Sequence, residues 1–131
     1  MLDRLEIAAD GASAVGAKAV SIGEDYFQGH FPGNPIFPGV LLIEVMAQVG
    51  SVVLFDGDSN FDNGVPAQVA LLMGVDHARM HRSVVPGDQI IVEAELVEAR
   101  DNACKVKTLA RVDGEVVAEA EMLFGLMNNP Q

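Results

Sequence analysis

One segment constrains this chain more than any other: Val40-Leu41-Leu42-Ile43-Glu44-Val45-Met46-Ala47-Gln48-Val49-Gly50-Ser51-Val52-Val53-Leu54-Phe55. It is long enough for a single helix of about 25 Å at about 1.5 Å per residue, and Asp56-Gly57 ends it sharply. Its polar residues, Glu44, Gln48 and Ser51, are spaced by four and then three, so they share one narrow stripe of a helix that is otherwise apolar all round. A helix of that kind calls for burial. One curved sheet covers it on one side only, so the other face needs a second sheet or a second copy, and a homodimer is expected on that argument. A membrane span is disfavoured: the length is at its lower limit, a glutamate near the middle is costly in lipid, and no flanking basic residues fix an orientation.

The rest of the chain reads as strands. Residues 2–7 and 14–22 are short strands joined by Ala9-Asp10-Gly11, and a polar loop is expected at 56–64. Strands follow at 67–76, at 89–99 after the Pro86-Gly87-Asp88 turn, at 104–112, and at 115–127 after the hairpin signal Asp113-Gly114. In the strand at 89–99, Ile90, Val92, Ala94 and Leu96 point one way. Lys105, Lys107 and Arg111 are expected on one outer face and Glu115, Glu119 and Glu121 on the facing one; antiparallel pairing would contribute about 0.2–1 kcal/mol per charge pair. The pattern is α+β: two strands, one long helix, and four or more antiparallel strands in a single domain over 1–131.

Composition narrows the partners. A chain of 131 residues, half of them apolar, forms a core that buries roughly two thirds of its unfolded surface. Its 8 basic and 19 acidic residues give a net charge of −11, which argues against nucleic acid or an anionic membrane as partner. The single cysteine, Cys104, excludes an internal disulfide, fits a reducing compartment and reads as a packed thiol. No signal or transit peptide is visible at Met1-Leu2-Asp3-Arg4-Leu5-Glu6, so the cytoplasm is expected.

The chemistry lies where the helix begins. Gly29-His30-Phe31-Pro32-Gly33-Asn34-Pro35-Ile36-Phe37-Pro38-Gly39 is a proline-glycine loop that restricts the backbone beside one histidine. A loop histidine on its own more often bonds to its own backbone; Glu44 is what gives His30 a second meaning. No basic residue occurs between Lys18 and Arg79, so a local ion pair is not available to that carboxylate. A carboxyl in an apolar pocket is a usable general acid and a histidine a usable base, while Gln48, one turn on, can orient the carboxyl. No Ser, Thr, Asp or Asn caps the helix, which leaves its first amides at Gly39 free to donate to a carbonyl oxygen. Base, acid and carbonyl clamp together describe proton abstraction beside a carbonyl followed by loss of a leaving group. His77 and His81 near Asp76 lack metal-ligand spacing, and no metal is expected.

The run from Tyr26 to Gln48, with His30-Phe31-Pro32-Gly33, Pro35, Pro38-Gly39-Val40-Leu41, Glu44 and Ala47-Gln48, resembles the signature of the FabZ-type 3-hydroxyacyl-[acyl-carrier-protein] dehydratases. Gly74-Val75-Asp76-His77-Ala78-Arg79, Val84-Val85-Pro86-Gly87-Asp88, and Val112-Asp113-Gly114 with Val117-Ala118-Glu119-Ala120 extend the resemblance over nearly the whole chain. It implies a hot-dog fold, an antiparallel sheet wrapped around one long central helix, with dimers that assemble as a trimer of dimers. It also implies a site shared between subunits, His30 from one and Glu44 from the other, with substrate contacts at Phe31, Gly39, Val40 and Gln48. Glutamate rather than aspartate at position 44 favours this branch over the related dehydratase-isomerases. Two departures accompany the resemblance. Such proteins usually carry a Leu-Pro-His-Arg-type segment before the pair found here as Asp3-Arg4, and many have an aromatic where this chain has Leu71 or Leu72.

The expected activity is therefore dehydration of 3-hydroxyacyl groups on acyl carrier protein to the trans-2-enoyl form, in type II fatty acid synthesis. No cofactor is expected. Because carrier proteins are acidic, a local basic surface is needed to receive the acyl-phosphopantetheine arm, and Arg79 and Arg82 are the candidates, with Arg100 and Lys105 behind them. A hot-dog thioesterase and a non-catalytic acyl-binding module are the alternatives, and each leaves the pairing of His30 with Glu44 unused.

Overall fold

The structure, a computed structural model, describes residues 2–9, 11–23, 33, 35–53, 61–62, 65–66, 68–100 and 102–128. In chain order these form β1 (Arg4–Ile7), β2 (Ser13–Ala19), α1 (Gly39–Val52), β3 (Phe61–Asp62), β4 (Val65–Pro66), β5 (Gln68–Met80), β6 (Gln89–Arg100), β7 (Ala103–Val112) and β8 (Glu115–Asn128). Six strands make one antiparallel sheet in the order β1-β2-β6-β7-β8-β5, and β3 pairs with β4 in a separate two-stranded ribbon. A single helix against an antiparallel sheet is the hot-dog arrangement.

The helix lies across the inner face of β2, β6 and β7. Val45, Met46 and Val49 are fully buried there, each contributing about 1.5–3 kcal/mol of burial relative to exposure. They meet the inward set of the sheet: Ile90, Val92 and Ala94 from β6, Val106 and Ala110 from β7, Met122 and Phe124 from β8. Two glycines permit the approach. A Cβ on Gly16 of β2 would stand 2.5 Å from Val49 Cγ2, and one on Gly50 of the helix 3.3 Å from the Phe124 ring. Thr108, fully buried among these apolar groups, donates its hydroxyl to the Ala120 carbonyl at 3.0 Å, which satisfies it.

The helix ends at Val52 with Val53 as its C-cap, short of the expected Phe55; residues 54–60 lie outside the described residues. The expected loop at 56–64 contains β3, and the strand expected at 67–76 continues to Met80. That continuation carries an irregularity between Asp76 and Arg79, where His77 adopts φ 53°. An added residue on one strand lets pairing resume beyond a break in alternation, which is why the sequence pattern stopped at Asp76.

The β7–β8 hairpin turns at Asp113-Gly114, φ 52° and 80°, the backbone that an Asp-Gly turn of the primed type requires. The expected charge pairing holds for one residue and is corrected for two. Lys107 faces Glu121 on β8 and Glu95 on β6, but Lys105 faces Leu123 and Arg111 faces Val116. Both find their glutamates on β6 instead: Glu98 is opposite Lys105, and Arg111 Nε reaches Glu93 Oε1 at 3.0 Å. For Lys105 the cause is a register shift in the β6–β7 pair between Leu96 and Glu98, which brings Glu98 opposite it; for Arg111 it is a shift in the β7–β8 pair between Ala110 and Arg111. One extra residue on β8 flips the face of everything beyond it, so Glu119 and Glu121 share the outer face and Glu115 leaves it. No helix among the described residues is long and apolar enough to cross a membrane.

Candidate active site

The N-terminus of α1 begins after Pro38, whose φ of −59° and ψ of 135° place it outside the helix, and no side chain caps it. Leu41 and Leu42 N–H both donate to the Pro38 carbonyl, at 3.0 and 3.1 Å. Among the described residues, the Gly39 and Val40 amides have no acceptor, and both residues are exposed, Val40 to 78%. Unpaired amides at a helix start carry partial positive charge directed outward. They open beside a cleft of about 290 Å³ lined by Ile36, Phe37, Leu42, Met80, His81 and Val84. Met80 was not foreseen here, because the alternation that would reveal it is interrupted at His77.

Glu44 lies five residues from Gly39, about 7.5 Å further along the helix axis, and one turn from Val40. Its Oε1 accepts a hydrogen bond from Gln48 Nε2 at 3.3 Å, the expected orienting contact. Ser51 Oγ donates to the Gln48 carbonyl at 3.0 Å, so the third member of the stripe is turned to its own backbone and does not compete for the Gln48 amide. Within the single chain Glu44 is exposed. The sheet covers the opposite face of the helix, and the stripe of Val40, Glu44 and Gln48 is the side it cannot reach. His30 and Phe31 lie outside the described residues.

The two expected carrier-binding arginines differ. Arg82 is already near two carboxylates, Asp88 Oδ2 at 3.9 Å and Glu115 Oε2 at 3.7 Å. Arg79 is exposed opposite Glu119 in the β5–β8 register, and it makes none of the ion pairs among the described residues. Glu119 Oε2 lies 3.7 Å from His81 Nε2. Arg100 Nε sits 2.6 Å from Glu98 Oε1. Cys104 is buried and its thiol is pushed above its ordinary value by that burial, as for a packed rather than a reactive group. Among the described residues, no group of three or more His, Cys, Asp or Glu is placed to hold a metal ion.

Comparison with known proteins agrees along the length of the chain. A family model described as FabA-like domain matches residues 1–121. A 3-hydroxyacyl-[acyl-carrier-protein] dehydratase FabZ from Geobacillus thermodenitrificans is 42% identical over 130 residues, covering 99% of this chain and 86% of the relative. One from Pelotomaculum thermopropionicum is 45% identical over 126 residues, covering 96% and 86%. Among solved structures, a dehydratase heterocomplex from Xenorhabdus doucetiae superposes with a TM-score of 0.72 at 16% identity, covering 95% of this chain and 96% of that one. A thioesterase superfamily member from Thermus thermophilus gives 0.69 at 16% identity, covering 88% and 81%. At such identities the structural likeness speaks for the fold alone, and both dehydratases and thioesterases share it. The sequence relatives separate them, and on the match over residues 1–121 and identities above 40% along nearly the whole chain, this protein belongs to the FabZ-type 3-hydroxyacyl-[acyl-carrier-protein] dehydratases of the FabA-like domain family.

Proposed function

We propose that this chain dehydrates 3-hydroxyacyl groups on acyl carrier protein to trans-2-enoyl groups, in type II fatty acid synthesis. His30 takes the proton from the carbon beside the thioester carbonyl. The electron pair moves onto the carbonyl oxygen, where the free amide of Gly39 steadies it. The enolate then re-forms its carbonyl, the C–O bond to the 3-hydroxyl breaks, and Glu44 protonates the departing oxygen, which leaves as water. Gln48 orients the carboxyl, and Phe31 and Val40 contact the substrate. These are proton transfers and one C–O cleavage, so the scheme uses no cofactor.

The observation that carries this reading is an oriented carboxylate, Glu44 with Gln48, on the uncovered stripe of α1, close to two amides without acceptors among the described residues. That stripe is also the reason for reading the protein as a single-domain homodimer: a second copy covers it and brings its own histidine to the first copy's glutamate. Three such dimers make the hexamer we infer from the family. Arg79 is the preferred contact for the acidic carrier protein, since Arg82 is engaged with its own carboxylates. The lone packed Cys104 accords with a cytoplasmic setting.

The test is hydration of an enoyl-carrier-protein followed spectroscopically for wild type, His30→Ala and Glu44→Gln. Turnover by wild type and loss in both variants is expected; an inert wild type, or a variant near full rate, removes the mechanism. Release of free thiol from an acyl thioester would indicate thioesterase activity instead.

A further inference from the structure

The segment Val84-Val85-Pro86-Gly87-Asp88 is unused by the chemistry above. It forms the turn between β5 and β6, with Gly87 at φ 97° and the Asp88 N–H donating to the Val85 carbonyl at 3.1 Å. Two further bonds meet there on a single peptide group. The Val85 N–H donates to Asp88 Oδ2 at 3.0 Å, and the carbonyl of the same peptide, on Val84, accepts the Phe37 N–H at 2.7 Å. A trans peptide is planar with its N–H and C=O pointing in opposite directions, so a carboxylate that holds the N–H also aims the carbonyl. Hydrogen bonds in such a chain polarise one another, which strengthens the link to Phe37. Arg82, between Asp88 and Glu115, also lies near the Asp88 carboxylate, 3.9 Å from the same oxygen.

What hangs from that carbonyl is the start of α1. Phe37 is buried, and it is followed by Pro38 and then Gly39. Pro35 and Pro38 have no N–H, so Phe37 supplies the last backbone donor that can tie the chain down before the free amides. Val84, buried beside Phe37, lines the same cleft as Gly39.

We propose that Asp88 is a positioning residue: through the Val84–Val85 peptide and Phe37 it sets where the Gly39 amide points. This rests on the reading that the Gly39 amide holds the thioester oxygen. Loss of the carboxylate lets the peptide rotate and the helix start shift, a displacement felt in the transition state more than in substrate binding.

The test compares Asp88→Ala with Asp88→Asn, whose side-chain oxygen still accepts the Val85 N–H. Asp88→Ala is expected to lower kcat for enoyl-carrier-protein hydration about tenfold per folded molecule, with KM within about twofold, since small misplacements act on the reacting geometry. Asp88→Asn should restore kcat to within about threefold of wild type. In the ¹⁵N-labelled protein, the Gly39 amide resonance should move in Asp88→Ala and return in Asp88→Asn. An unchanged kcat per folded molecule in Asp88→Ala, or an equal loss in both variants, overturns the proposal. His30→Ala in the same assay reports on the proposed reaction separately. If wild type turns nothing over, that reaction falls, and the resonance alone decides the positioning role: moved and restored supports it, unmoved overturns it.

Discussion

The two faces of α1 follow opposite rules. Toward the sheet, Val45, Met46 and Val49 have no exposure, and glycines at 16 and 50 bring the helix close enough that even a methyl group would intrude. Away from it, Val40 and Glu44 are exposed, and the Glu44–Gln48 hydrogen bond lies at the surface. The inner face holds the fold and the outer face holds the chemistry. A polar stripe on an otherwise apolar helix therefore marks not a concealed ion pair but the side that a sheet leaves open.

That division can be broken by substitutions that confuse the two faces, and the largest effects are expected at its chemical end. His30→Ala and Glu44→Gln should each lower enoyl hydration by about 10²–10⁴-fold, the range for loss of a general acid or base. Thermal unfolding of Glu44→Gln should hardly change, since the carboxylate lies off the face packed against the sheet and the amide keeps its shape. Met46→Ala should do the reverse, costing about 2–5 kcal/mol in denaturant unfolding through the cavity it leaves, with turnover per folded molecule preserved. Gly16→Ala is next, at about 1–3 kcal/mol, because its new Cβ would stand 2.5 Å from a buried methyl of Val49. A strand glycine with free space would instead gain stability on the same change, so the sign of the effect reports the close approach. Ser51→Ala is expected to alter stability by less than about 0.5 kcal/mol, since its hydroxyl bonds to the Gln48 carbonyl one turn back on its own helix. A large loss of activity in Ser51→Ala would extend the working surface of the stripe beyond Gln48.

Much of the fold was legible because the signals are local. The run from Val40 has a helical length and a polar stripe at helical spacing, the alternation from Ile90 to Leu96 marks one face of β6, and Asp113-Gly114 marks a hairpin. The uncapped helix start was legible for the same reason, since a cap depends only on the residues beside it.

What the sequence determined by itself is the helix and the six strands of the main sheet, the contact between Glu44 and Gln48, and the uncapped start of the helix at Gly39, all consequences of neighbours along the chain. Tertiary structure decided the rest. An irregularity in β6 between Leu96 and Glu98 set Glu98 opposite Lys105, and one in the β7–β8 pair set Val116 opposite Arg111, because register depends on the strand alongside. Glu44 became exposed because the sheet curves around only one side of the helix. Asp88 became linked to the helix start through a single peptide that joins Val85 to Phe37, residues 48 apart in sequence, and no periodicity reaches across such a gap.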